Sequence, residues 1–267
     1  MQKRVSVIIA ARDEEKRIKR CIDSLIASLG PEDEIIVVND GSTDGTGREL
    51  ALFGSKIQVL TNEVSMGRAA SRNAGIMVAK GKYIAIQDAD DEALPGRIEI
   101  PVGMLEGDEH LVAASGQCVA VTDGGHYWRH NRYPTSREEV KEQFEASVMA
   151  VCHTGSVIRR RALDEAGLYD PTYIRAQDLE LFKRLSKLGP IESSPLDTVL
   201  YTHNAWLSWA YWTLSRKHHD AIAGRPALSF PLTILRYLLA MTRRSLRLVT
   251  THASAKAALI RARAVNA

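Results

Sequence analysis

A chain of 267 residues, 45% hydrophobic and 25% charged, can bury the core of one large domain, with or without an appendage, and is too apolar to be disordered. Three scattered cysteines, Cys21, Cys118 and Cys152, exclude a disulfide framework or a zinc cluster and read as buried thiols in a reducing compartment. The net charge of +3 hides an asymmetry, because residues 201–267 carry ten Lys/Arg against the single acid Asp220, while residues 1–200 hold 25 Lys/Arg against 31 Asp/Glu. A basic tail of that kind implies an anionic partner, a membrane surface or a nucleic acid.

Val5 to Ala10 is a β-branched apolar run of strand length, followed at once by charges, so the N-terminus reads as neither a signal peptide nor a spanning helix. From Asp13 to Ser28, Ile18, Ile22, Leu25, Ile26 and Leu29 recur at helical spacing, and Gly30-Pro31 closes that helix. Glu34 to Asn39 is the second strand, running into the turn and cap residues Asp40-Gly41-Ser42-Thr43-Asp44-Gly45. A short helix through Leu50 and Leu52, a strand at Lys56 to Leu60, a helix from Gly67 to Ala79 and a strand at Tyr83 to Ile86 follow. This alternation predicts an α/β fold with a mostly parallel, doubly wound sheet flanked by helices.

The strand at Tyr83 ends in Asp88, Asp90 and Asp91. Strand ends in such a sheet lie along one crevice, so Arg12, Asp13, Asp40, Asp88 and Asp90 are expected at a common cleft. If the strand continues through them, Asp88 and Asp90 share a face and can meet one divalent cation; a solvated acidic turn is the plain alternative. There is no G-x-G-x-x-G or Walker loop, which argues against a nicotinamide cofactor or a P-loop. Further on, Leu111 to Ala114 and Gln117 to Val121 read as strands. His218 and His219 have no partner pattern and read as solvated.

The strings VVNDGSTDGT, Gly67-Arg68-Ala69-Ala70-Ser71-Arg72-Asn73-Ala74-Gly75, DADD at Asp88 to Asp91, and Arg175-Ala176-Gln177-Asp178-Leu179-Glu180-Leu181 resemble, in order and spacing, the motifs of family 2 glycosyltransferases with the GT-A fold. The resemblance covers roughly residues 4 to 204. It implies a GT-A catalytic domain at 1–204, with a nucleotide-binding half at 1–91 and an acceptor half at 92–204, and a helical extension at 205–267. The implied reaction is inverting transfer of a sugar from a nucleotide-diphosphate sugar, a UDP- or dTDP-sugar, to a hydroxyl of a glycan or lipid-linked acceptor, assisted by Mg2+ or Mn2+.

By the same resemblance, Ala11, Arg12, Asp13, Asp40, Arg72, Asp88 and Asp90 line the donor site, Asp40 accepting from the base and Arg72 meeting base or phosphate. Asp90 and Asp88, with His203 as a further ligand, would hold the metal, and Asp178 would be the general base. Met149 to Ile158 resembles the family's strand below the acceptor site, and His153, Gln177 and Trp128 are acceptor-side candidates. Two departures stand out: Arg12 replaces an aromatic at the first strand tip, and Gln177 replaces the glutamate that usually precedes the base. A catalytically silent glycan-binding or membrane scaffold of the same fold, and a phosphatase carrying the D-x-D pair, are the competing readings.

In the tail, Leu228 to Val249 is apolar with Arg236, Arg243 and Arg247 within about 40° of one another on a helical wheel. The expectation is either an interfacial helix on an anionic membrane or a helix packed on the domain. The protein would then be cytoplasmic, peripheral on the inner membrane face in the first case, with no nucleic-acid partner expected.

Overall fold

The computed structural model describes residues 3–121, 127–129, 132–202 and 209–225. In chain order the strands are β1 (Lys3–Ala11), β2 (Glu34–Asp40), β3 (Gln58–Asn62), β4 (Gly81–Asp88), β5 (Glu92–Ala93), β6 (Ala113–Val121), β7 (Tyr127–Arg129), β8 (Ser156–Arg159) and β9 (Ile191–Thr202). The helices are α1 (Ile18–Ile26), α2 (Thr46–Ala51), α3 (Arg68–Val78), α4 (Glu99–Gly107), α5 (Arg137–Glu145), α6 (Arg160–Ala166), α7 (Gln177–Leu185) and α8 (Trp209–Ile222).

One sheet runs β3-β2-β1-β4-β8-β6-β9-β5, with β7 paired to β6. It is parallel through β3, β2, β1 and β4, as the βα alternation predicts. Beyond β4 the pairing is mixed: β8 is antiparallel to β4 and β6, while β9 is parallel to β6. Apolar side chains leave β1 on both faces, as a doubly covered strand requires. Val5, Val7 and Ile9 pack with Ile18, Ile22 and Leu25 of α1 on one side. Ile8 joins Ile36, Ile84, Ile76 of α3 and Leu181, Phe182 and Leu185 of α7 on the other. Each such side chain, fully withdrawn from water, contributes about 1.5–3 kcal/mol.

The sheet cannot be flat. β4 and β5 are separated by β8, β6 and β9 in the sheet order, yet only Ala89 to Asp91 join them in the chain. Four strand spacings of about 4.8 Å exceed what four extended residues of about 3.4 Å each can bridge. The far half therefore curls back so that its β5 edge returns to the end of β4.

Several local expectations change. The first helix begins at Ile18 rather than Asp13, because the preceding amides bond to side chains of the β2–α2 loop: Asp13 to Ser42 Oγ, Glu14 to Thr46 Oγ1 and Glu15 to Asp44 Oδ2. β3 starts two residues late, since Gly54–Lys56 forms a 3-10 turn. The two strands expected at 111–121 are one strand with irregular register between Ser115 and Cys118. Met149 to Ile158 is not a strand throughout, because His153–Gly155 turns as 3-10 before β8. His218 is not solvated: its Nδ1 lies 2.9 Å from the Arg175 carbonyl and its ring meets Tyr173 edge-on. All three cysteines are buried and free, as expected. Among the described residues, no helix is long and apolar enough to cross a membrane. The tail residues 228–249 lie outside the described residues.

Candidate active site

The β1, β2 and β4 tips converge as the parallel sheet requires, but their carboxylates do different work. Asp40, at the end of β2, is saturated by the chain itself: Asn62 Nδ2 and the Met66 N–H donate to Oδ1 at 2.9 and 2.7 Å, and Ser65 Oγ and the Gly67 N–H to Oδ2 at 2.8 and 2.9 Å. Gly41 beside it has φ +65°, and a Cβ there would lie 2.6 Å from the Ser65 amide, so this crossing of two loops admits only glycine. Asp40 thereby fixes the loop that starts α3.

Burial alone would raise the Asp40 pKa, but the donors outweigh it and hold it at about 2. A carboxylate lowered from 3.8 contributes stability that is complete above that value and lost as the pH falls towards 2. We expect Asp40→Asn to remove roughly 2 kcal/mol at neutral pH and to flatten this acid limb. Urea unfolding at a series of pH values reads both, and an unaltered acid limb would show that Asp40 is not the group responsible.

At the β1 tip, Ala11 is buried in the sheet and Arg12 is exposed. Asp13, at φ 55°, accepts from the Thr43 N–H at 2.8 Å and so clasps the β2–α2 loop. Its other oxygen is 3.7 Å from Arg12 Nε.

β4 ends at Asp88, and Asp90 lies in the turn that follows, so the two do not share a strand face. Asp88 Oδ1 accepts from Arg72 Nη2 at 2.6 Å. Burial would raise the Asp88 pKa, but Arg72, with His153 and Arg68, carries it below the usual range. Asp90 has no ion pair among the described residues; burial and the neighbouring Asp88 raise its pKa. Glu14 faces it, and burial and Asp90 raise that carboxyl as well. Asp91, unassigned from sequence, is fully buried and accepts from the Thr202 N–H at 2.7 Å, while Thr202 Oγ1 donates to the Asp90 carbonyl at 2.5 Å. These bonds tie the end of β9 to the DADD turn.

Hard oxygen donors whose mutual repulsion raises their own pKa values fit a hard divalent cation. Among the described residues, no three Asp, Glu, His or Cys side chains converge on one point, so these side chains alone would not fill the shell of such a cation. His203 lies outside the described residues.

Arg72 supplies a complementary signal. It is 4% exposed, yet among the described residues its Nε and Nη1 have no hydrogen-bond partner. A buried guanidinium with two idle donors is what an anionic ligand would satisfy.

A pocket of about 120 Å³ opens beside Asp88 and is lined by Asp178, His153, Thr154, Tyr133, Tyr201 and Cys152, among others. Asp178 comes from the first turn of α7, which follows Ala176 in the left-handed region at φ 57°. A non-glycine residue held there costs about 1 kcal/mol and turns the chain so that Asp178 faces the pocket. Gln177 is buried at the helix start and does not line it. Trp128 belongs to β7, opposite Ala120 in register, and its side chain lies outside the described residues. His153 does reach the pocket, against the ring edges of Tyr169 and Phe182. Burial, reinforced by Arg72, holds its pKa at about 4, so the ring is neutral at neutral pH.

Sequence reasoning missed Tyr169, whose hydroxyl is 2.8 Å from His153 Nε2, and Arg97, a fully buried guanidinium donating to the Ile86 and Thr154 carbonyls at 2.6 and 2.9 Å. A tyrosine in a loop and an arginine near a helix start carry no periodic signal.

Residues 6–167 match the family model described as glycosyl transferase family 2. The chain is similar to a glycosyltransferase of Haemophilus influenzae whose activity is uncharacterised, at 29% identity over 213 residues, covering 74% of this chain and 64% of that protein. It is 32% identical over 102 residues to the Escherichia coli UDP-Glc:alpha-D-GlcNAc-diphosphoundecaprenol beta-1,3-glucosyltransferase WfgD, covering 38% of this chain and 40% of that one. The structure resembles Staphylococcus aureus TarS 1-349 in complex with UDP-GlcNAc, with a TM-score of 0.63 and 18% identity over 90% of this chain and 72% of the other. The likeness to TarS bears out the α/β, GT-A-type fold. With more than half its length matched by the family model, the chain belongs to glycosyl transferase family 2.

Proposed function

We propose that the protein is an inverting glycosyltransferase that moves a sugar from a UDP- or dTDP-sugar to a hydroxyl of a glycan or lipid-linked acceptor. The observation that carries this reading is a pocket lined by both Asp88 and Asp178, next to a buried Arg72 with two donor nitrogens unpartnered among the described residues. Arg72 would give those donors to the diphosphate while Asp88 holds the guanidinium in place. Asp178 would accept the proton of the acceptor hydroxyl as its oxygen bonds to the anomeric carbon. The bond from that carbon to the diphosphate oxygen breaks, its electron pair leaving with the nucleoside diphosphate, and the configuration inverts. Mg2+ or Mn2+, held by Asp90 with Asp88, would offset the charge growing on the diphosphate.

The relatives support the donor and acceptor classes: the TarS structure holds UDP-GlcNAc, and WfgD is named for a diphosphoundecaprenol acceptor. A lipid-linked acceptor would give the basic segment 228–249 a reason to lie on an anionic membrane at the inner face of the cell.

The decisive experiment is release of nucleoside diphosphate by the purified chain from a panel of UDP- and dTDP-sugars, with and without Mn2+. We expect one donor class to be hydrolysed slowly, at a rate that rises at least tenfold with Mn2+. No release and no calorimetric binding with any donor would remove the assignment and leave a silent scaffold of the same fold.

A further inference from the structure

Tyr169 sits in the loop between α6 and α7, where nothing in the sequence marks it. Its backbone is pinned by one side chain of α3: Asn73 Nδ2 donates to the Tyr169 carbonyl at 2.7 Å and the Tyr169 N–H to Asn73 Oδ1 at 3.0 Å. Asn73 adjoins Arg72, whose guanidinium lies over the Tyr169 ring, 5.5 Å from its centre. The phenol is 2% exposed, and among the described residues its one hydrogen-bond partner is His153 Nε2.

That bond has a direction. A buried phenolic O–H without an acceptor costs about 1–3 kcal/mol, and Nε2 is the acceptor within reach. The guanidinium over the ring withdraws electron density and strengthens the O–H as a donor. An imidazole accepting at Nε2 while neutral carries its proton on Nδ1. His153 keeps part of its surface in the pocket that Asp178 also lines.

We propose that Tyr169 is a positioning residue that fixes His153 as the Nδ1–H tautomer, so that a neutral N–H donor faces the pocket and orients the acceptor sugar against Asp178. This rests on the reading of the pocket as the transfer site. One side chain thereby serves both partners: its ring carries Arg72 on the donor side, and its hydroxyl sets the hydrogen-bonding sense of His153 on the acceptor side. Arg72 and Arg68 of α3, Asp88 of β4 and Asp178 of α7 are the charged groups acting on that imidazole.

The test is nitrogen NMR of the full chain labelled with 15N-histidine, the His153 signals being those missing from His153→Gln. The expected pattern is protonated Nδ1 and bare Nε2 in the native protein, changing to Nε2–H or an averaged pattern in Tyr169→Phe. That variant keeps the ring and so its hold on Arg72; kcat should fall about tenfold with donor KM unchanged. A native Nε2–H tautomer overturns the proposal whatever the enzyme transfers, because it is read in the protein alone. A switched tautomer with undiminished kcat overturns it equally.

Discussion

Asp178→Asn is expected to bind the nucleotide sugar as the native protein does and to turn over about a thousandfold more slowly. The replacement is isosteric, and the retained amide oxygen can still accept the Leu179 N–H, which reaches Asp178 Oδ1 at 2.9 Å. Helix α7 and the left-handed Ala176 before it should therefore be undisturbed. Only the capacity to accept a proton is lost. Positioned general bases contribute typically 10²–10⁴-fold, and a thousandfold corresponds to about 4 kcal/mol of barrier. Calorimetry with the donor and single-turnover transfer separate the two quantities. Turnover near the native value would assign the base elsewhere, and a large loss of donor affinity would move Asp178 to the donor site.

The second large effect is expected at Asp90. Asp90→Ala should abolish the increment in donor affinity that Mn2+ gives and lower turnover by two to three orders of magnitude, since electrostatic relief of a departing diphosphate is worth several kcal/mol. Donor titrations with and without the cation measure it; an intact Mn2+ increment would remove Asp90 from the cation site.

Stability should move the other way. Burial, with repulsion from Asp88, raises the Asp90 pKa. An acid whose folded pKa is raised weakens the fold once the pH exceeds its unfolded value. Without cation at neutral pH, the variant should therefore melt no lower than the native chain. Its backbone carbonyl, which accepts from Thr202 Oγ1, is unaffected by the change.

Much of the fold was legible because burial on both faces writes itself into short β-branched runs. Val5 to Ala10, Glu34 to Asn39 and Tyr83 to Ile86 all lie in strands, and the helix between Gly67 and Ala79 was placed to within a residue at each end. The far half was harder for a physical reason. Strands β6, β8 and β9 mix directions, and β6 is irregular at Gly116, where a Cβ would run into the Thr198 side chain. Neither feature leaves a period in the sequence.

Of the residues expected at the candidate site, Asp88 and Asp178 line one pocket and Arg72 bonds to Asp88. What the motif could not reveal was the division of labour among its carboxylates. Asp40 is satisfied by its own loop, Asp88 is ion-paired with Arg72 and Asp91 latches Thr202, while Asp90 carries no ion pair among the described residues. Those differences arise from partners more than twenty residues away for Asp40 and more than a hundred for Asp91. The start of α1 eluded periodicity likewise, because the amides of Asp13 to Glu15 bond to a loop 29 to 32 residues on.

The curl of the sheet gives the DADD turn a mechanical standing. Residues 89–91 are the short seam across which the curved sheet turns back on itself, with β4 on one side, β5 on the other and Thr202 stitched across the gap by Asp91. The seam's length is thus set by the sheet's curvature as well as by chemistry. Lengthening it by even one residue would at once slacken the closure and carry Asp90 away from Asp88.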